Sequence, residues 1–179
     1  MKATGIVRRI DELGRVVIPK EIRRTQRIRP SDPLEIFTTG DGEVIFRKYS
    51  PVAELSTHAL ETAEVLARSL GQPVLVCDRD HVVSAAGATR RELEGRRVSH
   101  ALEKLMQGRR LYTWSGESER LYPCEGASRQ LVVGMPILAA GDVIGAVCAL
   151  AGAAAHPPTG EAVALTQLCA ALLARQMEG

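Results

Sequence analysis

DELGRVVIPKEIRRTQRIRP, residues 11–30, sets two kinds of residue side by side. Arg15, Lys20, Arg23, Arg24, Arg27 and Arg29 crowd around Val16, Val17, Ile18, Ile22 and Ile28. LGRVVIP reads as a short β-strand closed by Pro19, and KEIRRTQRI as about two turns of helix. Pro19 suits the first helical position, where its missing N–H goes unneeded. Pro30, Ser31, Asp32 and Pro33 then break the helix. The apolar residues predict one core-facing side, which leaves the cations outward.

Working outward, ATGIVRRI upstream is rich in β-branched residues and predicts a first strand. Downstream, LEIFTTGDGEVIFRK predicts a hairpin about Gly40-Asp41-Gly42, because Asp-Gly favours a tight turn. Strand, strand, short helix and hairpin make a unit of about fifty residues, too small to bury much apolar surface alone. Yet apolar residues stand on both faces of its strands: Ile6 and Val7, Val16 and Val17, Ile36 and Phe37, Ile45 and Phe46. Both faces need covering, and a second copy is the natural cover. An intertwined homodimer is expected.

Charge is unevenly spread. Residues 1–50 hold eleven Lys or Arg against seven Asp or Glu, a balance of +4, while residues 51–179 hold twelve against fourteen, or −2. Within residues 1–30 the count is nine against three, or +6. A basic run is ordinarily a solvated surface. Here Lys20/Arg24 and Arg23/Arg27 are like-charged pairs four residues apart, with only Glu21 to offset them, and such pairs mildly destabilise a helix. A polyanionic partner would compensate.

The remaining composition narrows the class. The chain is 45% apolar but only 3% aromatic, so its core is built mainly from Ala, Val, Leu and Ile. Cys77, Cys124, Cys148 and Cys169 are widely spaced, with no metal-ligand pattern. Cys77 and Cys148 lie in apolar runs and read as small core residues. MKATGIVRRIDE lacks a signal-peptide apolar stretch, and no apolar run suits a membrane span. A reduced, cytoplasmic protein is expected.

After the boundary at Tyr49, Ser50 and Pro51 the pattern changes. AELSTHALETAEVLARSLG predicts a helix carrying Leu55, Leu60 and Leu66 and closed by Gly71. PVLVCDRD and HVVSAAG predict paired strands, and RRELEGRRVSHALEKLMQG one or two helices. Residues 109–129 are polar and irregular. RQLVVGMPIL and VIGAVCALAG form a second apolar hairpin, and EAVALTQLCAALLARQME a closing helix. The expectation is an α+β domain over residues 53–179 behind a first domain over residues 1–52.

TGIVRRIDELGRVVIPKEIRRTQRI, followed by DPLEIFTTGDGEVIFRKYSP, resembles the AbrB family of bacterial transition-state regulators. SLGQPVLVCDRD, VGMPI, DVIGAV and LARQME extend the resemblance to members with a C-terminal GAF domain; the segment from Trp114 to Ser128 departs from it. The resemblance implies a swapped-hairpin β-barrel dimer that binds double-stranded DNA, followed by a GAF-like α/β sandwich. It implies regulation of sporulation genes, by activation and repression. It further implies DNA contacts at Arg8, Arg15, Arg23 and Arg24, with Arg9, Lys20 and Arg27 as secondary contacts. Guanidinium suits both roles at such an interface, gripping phosphate in a fork or reaching guanine edges. The family usually places Leu after Arg-Arg-Thr, where this chain has Gln26. Four residues after Ile22, that side chain is expected to face the same core, where an unpartnered amide costs about 1–3 kcal/mol.

No catalytic constellation stands out. His58, His81, His100 and His156 are scattered, Ser115 and Ser118 lack a nucleophile elbow, and no glycine pattern forms a phosphate loop. Asp78 and Asp80 read as caps of a turn. Neither an enzymatic activity nor a metal or cofactor is expected. GAF-like domains bind small molecules or dimerise, so residues 84–129 are the candidate lining for an unidentified effector. The Ala-rich helices 53–70 and 160–178 suit packing against further copies, which together with the N-terminal dimer would build a tetramer. Two other functions fit parts of the pattern: a small-molecule sensor with incidental DNA affinity, and an antitoxin of AbrB-like fold.

Overall fold

The chain folds as two units, Met1–Tyr49 and Ser50–Gly179, in a computed structural model that describes residues 4–54, 56–87 and 90–178. In the first unit, residues 4–18 reverse direction without forming the two expected strands. The reversal is a tight turn: Gly14 N–H donates to Asp11 C=O at 2.9 Å, and Asp11 N–H to Arg15 C=O at 3.0 Å. Gly14 has φ +76°, left-handed backbone that suits glycine. A strand requires a neighbour for its N–H and C=O groups. Among the described residues, the arms on either side of this turn have no ladder partner within one chain.

Helix α1 spans Lys20–Thr25, with Pro19 as its N-cap at φ −56° and ψ 148°. Pro19 was expected inside the helix. Its extended ψ instead ends the arm before it, and its C=O accepts the first helical bond, from Arg23 N–H at 2.9 Å. The helix is also shorter than its pattern. Arg27 turns left-handed at φ +52°, so Ile28 N–H donates to Arg23 C=O at 2.7 Å and Arg27 N–H to Arg24 C=O at 3.2 Å. This pair of bonds is a Schellman close, with Arg where glycine is usual. Gln26 is therefore the C-cap, and its side chain is exposed within one chain. Its N–H still donates to Ile22 C=O at 2.9 Å, so the helical spacing from Ile22 holds to this residue.

Strands β1 (Leu34–Thr38) and β2 (Val44–Lys48) form the expected hairpin in antiparallel register, Phe37 opposite Ile45 and Ile36 opposite Phe46. Thr39 N–H donates to Glu43 C=O at 3.1 Å across the loop, and Gly42 takes φ +81° as the left-handed third loop residue. Lys48 Nζ reaches back to Arg27 C=O at 3.0 Å and lies 3.8 Å from Asp32 Oδ2, tying hairpin to helix end. Pro19 alone is buried among the described residues of this unit. Val7 is 85% exposed and Leu13 74%, and Ile6, Ile10, Val16, Val17, Ile36, Val44 and Phe46 are exposed with them. So much uncovered apolar surface is unfavourable for an isolated chain.

The second unit starts with α2 (Pro51–Glu54) and α3 (Ser56–Leu70); Leu55 lies outside the described residues. Strands β3 (Val74–Asp78) and β4 (Val82–Ala86) follow, then α4 (Arg90–Leu93), α5 (His100–Gln107) and the short β5 (Tyr112–Thr113). Strands β6 (Leu131–Ala139) and β7 (Asp142–Leu150) and the closing α6 (Gly160–Glu178) complete it. The sheet is antiparallel in the order β4-β3-β7-β6-β5.

Strand alternation divides the core in two. Val74, Val76, Val147 and Ala149 pack with Ala59, Ala63 and Leu66 of α3 and Ala170 and Leu173 of α6. Leu75, Cys77, Ala146 and Cys148 face the other way, onto Leu93, Val98, Leu102 and Met106. The strands are buried on both faces, as their continuous apolar runs imply. Gly145 of β7 is obligatory here, because an added Cβ would collide with the Cys77 carbonyl of β3. Val52, expected with the first domain, lies 2% exposed in the core that α3 and α6 cover. An apolar side chain joins whichever core its backbone reaches.

Candidate nucleic-acid interface

The cations of the first unit differ in presentation. Arg8, Arg9, Arg15, Lys20 and Arg24 are exposed, while Arg23 and Arg27 are half-buried. Lys20 and Arg24 lie four apart on α1 and so share its outer face. Arg27 has left the helix, so the expected helical pair Arg23/Arg27 does not exist. Arg23 Nε is enclosed without a hydrogen-bond partner, which a neighbouring acceptor would satisfy. Ile18, Ile22 and Ile28 are half-buried beneath this set, whereas Val16 and Val17 remain exposed.

Arg15 is the cation with the most developed support. Asp11 Oδ1 accepts from Leu13 N–H at 3.0 Å and Arg15 N–H at 2.8 Å, closing the turn. Asp11 Oδ2 accepts from Arg15 Nε at 2.8 Å, although the guanidinium is 71% exposed. The main-chain and side-chain bonds from Arg15 hold the Asp11 carboxyl below its ordinary value. Both terminal nitrogens of Arg15 stay available as a fork. Sequence reading passed over Asp11; its signal is Asp-x-x-Gly-Arg, an Asx turn with glycine at the left-handed position. Arg47, also outside the expected set, sits over the Phe37 ring at 4.5 Å, a cation–π contact that orients a further exposed cation.

Asp78 is a turn cap as expected: its Oδ1 accepts from Asp80 N–H at 2.7 Å and His81 N–H at 2.6 Å. Cys77, Cys124 and Cys148 are buried. The hydrogen bond with Cys148, and then burial, raise the Cys77 thiol well above its ordinary range, so it is not a thiolate nucleophile at neutral pH. Among the described residues no group of His, Cys, Asp and Glu suits a metal, and no helix is long and apolar enough to cross a membrane.

The space between the sheet and residues 84–129 is filled by Leu75, Cys77, Val82, Leu93, Leu102 and Cys124. A cleft of about 420 Å³ lies instead beside the end of α3, lined by Arg68, Gln72, Pro73, Gly87, Arg129 and Gly152 among others. It touches the expected segment near its two ends. Arg129 is anchored there by the carbonyls of Ala151 and Gly152, at 2.9 and 2.5 Å.

Comparison with known proteins accounts for both units. Residues 54–178 match the family model described as stage V sporulation protein T C-terminal, transcription factor. Residues 7–54 match the model of antidote-toxin recognition MazE, bacterial antitoxin. The chain is 46% identical over 193 aligned positions to stage V sporulation protein T of Bacillus subtilis (strain 168), covering 99% of each chain. It is 59% identical over 51 residues to the transition state regulatory protein AbrB of the same strain, which spans 28% of this chain and 52% of that one. A crystal structure of the cyanobacteriochrome receptor PixJ resembles 72% of this chain over 98% of its own, with 12% identity and a TM-score of 0.56, which is a likeness of fold. With the family model matched over residues 54–178 and the identity to one relative held along nearly the whole of both chains, the chain belongs to the stage V sporulation protein T family.

Proposed function

We propose that this protein is a DNA-binding transcriptional regulator of sporulation that works as a homo-oligomer, reading double-stranded DNA through residues 1–52. One observation carries the reading. A basic unit that presents Arg8, Arg9, Arg15, Lys20 and Arg24 also leaves ten large apolar side chains exposed among its described residues. A second copy covers the apolar surface, and duplex DNA matches the charge.

In this reading the arms flanking the Asp11–Arg15 turn find their ladder partners in the other copy, which gives the swapped-hairpin barrel. Arg8, Arg15, Arg23 and Arg24 contact the duplex, with Arg9, Lys20 and Arg27 as secondary contacts. Phosphate contacts fix register, and those guanidinium groups that reach base edges select sequence.

Residues 53–179 form a GAF-like domain in the same reading. The outer faces of α3 and α6 carry exposed Val65, Leu168 and Leu172, which support a second self-association surface and hence a tetramer. The cleft at Arg68, Gln72 and Arg129 is where a small effector would sit. An antitoxin role accounts for the first unit alone and leaves the folded second unit without a purpose.

Gel-shift titration of duplex DNA with the full chain and with residues 1–52, alongside sedimentation, tests the proposal. Binding by a dimer of residues 1–52 is expected. A folded monomer of that fragment, or absence of binding by the full chain at low salt, overturns it.

A further inference from the structure

Tyr49 and Ser50 are consecutive residues held in different hydrogen-bonded frameworks. Tyr49 N–H donates to Pro33 C=O at 3.1 Å, extending the β1–β2 ladder of the first unit. Ser50 belongs wholly to the second. Its Oγ donates to Asp78 Oδ2 at 2.7 Å and accepts from Ala53 N–H at 3.2 Å. Its C=O accepts from Ala53 N–H at 3.0 Å and Glu54 N–H at 3.2 Å. Ser50 is thus both the cap of α2 and the point where the chain is fastened to the β3–β4 turn.

The fastening is tight for two reasons. Asp78 has its other oxygen committed to Asp80 N–H and His81 N–H, so the carboxylate cannot swing away without opening the turn. Pro51 fixes its own φ and holds Ser50 to extended backbone. Downstream, Val52 is locked in the core. Peptide planarity then leaves Tyr49 φ and ψ and Ser50 φ as the soft torsions between the two frameworks.

We infer that Ser50 and Asp78 are positioning residues for DNA binding: their hydrogen bond shortens the joint between the units to a single residue step. Neither contacts DNA. Without the Oγ–Asp78 bond Ser50 is held only by its C=O bonds to α2, and opening of that single turn extends the joint as far as buried Val52. A short joint raises the effective concentration of a second DNA-binding dimer once the first has engaged, and a loosened one dilutes it. The idea rests on the DNA-binding and tetramer reading above, and two separate readouts keep their failures apart.

The test uses the full chain with Ser50→Ala, which deletes the hydroxyl, and Ser50→Thr, which keeps it. Limited proteolysis reads the clamp directly. Cleavage between residues 49 and 54 is expected to quicken about tenfold in Ser50→Ala, the factor one charge-assisted hydrogen bond supplies, and to stay near the parent rate in Ser50→Thr. The second readout is affinity for a short mixed-sequence duplex and for one at least twice as long, at low salt. Ser50→Ala is expected to keep the short-duplex affinity and lose severalfold in the long-to-short ratio, with Ser50→Thr restoring it. Unchanged proteolysis in Ser50→Ala overturns the clamp. Faster proteolysis with an unchanged ratio, or an equal loss on both duplexes, overturns the positioning role. If the parent chain binds neither duplex, the DNA-binding reading fails, and proteolysis still decides the clamp.

Discussion

Asp11 Oδ2 lies 2.8 Å from Arg15 Nε, so the carboxylate that closes the first turn also orients an exposed member of the basic set. An acidic residue beside a polyanion-binding surface would ordinarily weaken binding. If Arg15 contacts phosphate as proposed, Asp11 removes conformational freedom that Arg15 would otherwise lose on binding.

Asp11→Ala should therefore lower DNA affinity, despite raising the net positive charge by one. Asp11→Asn keeps a side-chain oxygen for the turn and should bind more tightly than Asp11→Ala. Gel-shift titration at fixed salt checks the order. If Asp11→Ala binds more tightly than the parent, electrostatic repulsion outweighs positioning.

The same carboxylate sets a pH limit. Its pKa in the folded chain is lowered below the ordinary 3.8. A lowered folded pKa means the ionised form is the one favoured by the fold. That contribution is complete above the ordinary value and is lost as pH falls through the lowered one. The Leu13 and Arg15 amide shifts should hold steady from neutral pH to about the ordinary Asp range and move only below it. Movement centred above 3.8 contradicts the Arg15 bond.

Arg15→Ala and Arg24→Ala should each weaken DNA binding while the dimer stays folded by circular dichroism and sedimentation. Each should also flatten the slope of log affinity against log salt by about 0.9 if the lost contact is to one phosphate. An unchanged slope with weaker binding would assign that arginine to a base edge instead.

Arg27→Gly separates cap from charge. Glycine at φ +52° removes about 1–2 kcal/mol of left-handed strain and adds about 0.5–1 kcal/mol of chain entropy to lose. A small rise in thermal midpoint is expected, together with weaker DNA binding. A fall in midpoint would mean that the half-buried Arg27 side chain stabilises more than its backbone strains.

Leu168→Glu with Leu172→Glu charges the outer face of α6 without touching its buried residues Thr166, Ala170 and Leu173. If this face carries the second self-association surface proposed above, the variant should sediment as a smaller oligomer than the parent, with short-duplex affinity preserved. A tetramer that persists places the second self-association surface elsewhere.

What could be read along the chain is what neighbouring residues decide. The β1–β2 hairpin follows from Gly42 and its β-rich arms, and the two-sided burial of β3 and β7 follows from unbroken apolar runs. The exposure of Arg24 follows from its place on α1 away from half-buried Ile22. Ends and pairings were another matter. Helix α1 stops at Thr25 because Arg27 turns left-handed and Lys48, twenty-one residues on, grips its carbonyl. No local pattern announces that. Ser50 fastens to Asp78 across twenty-eight residues, and Gly145 is required only because Cys77 passes beside it. The arms around Asp11 show the division most plainly. Their β-branched residues are suited to strands, yet a strand forms only where another backbone pairs with it, and among the described residues of one chain none does.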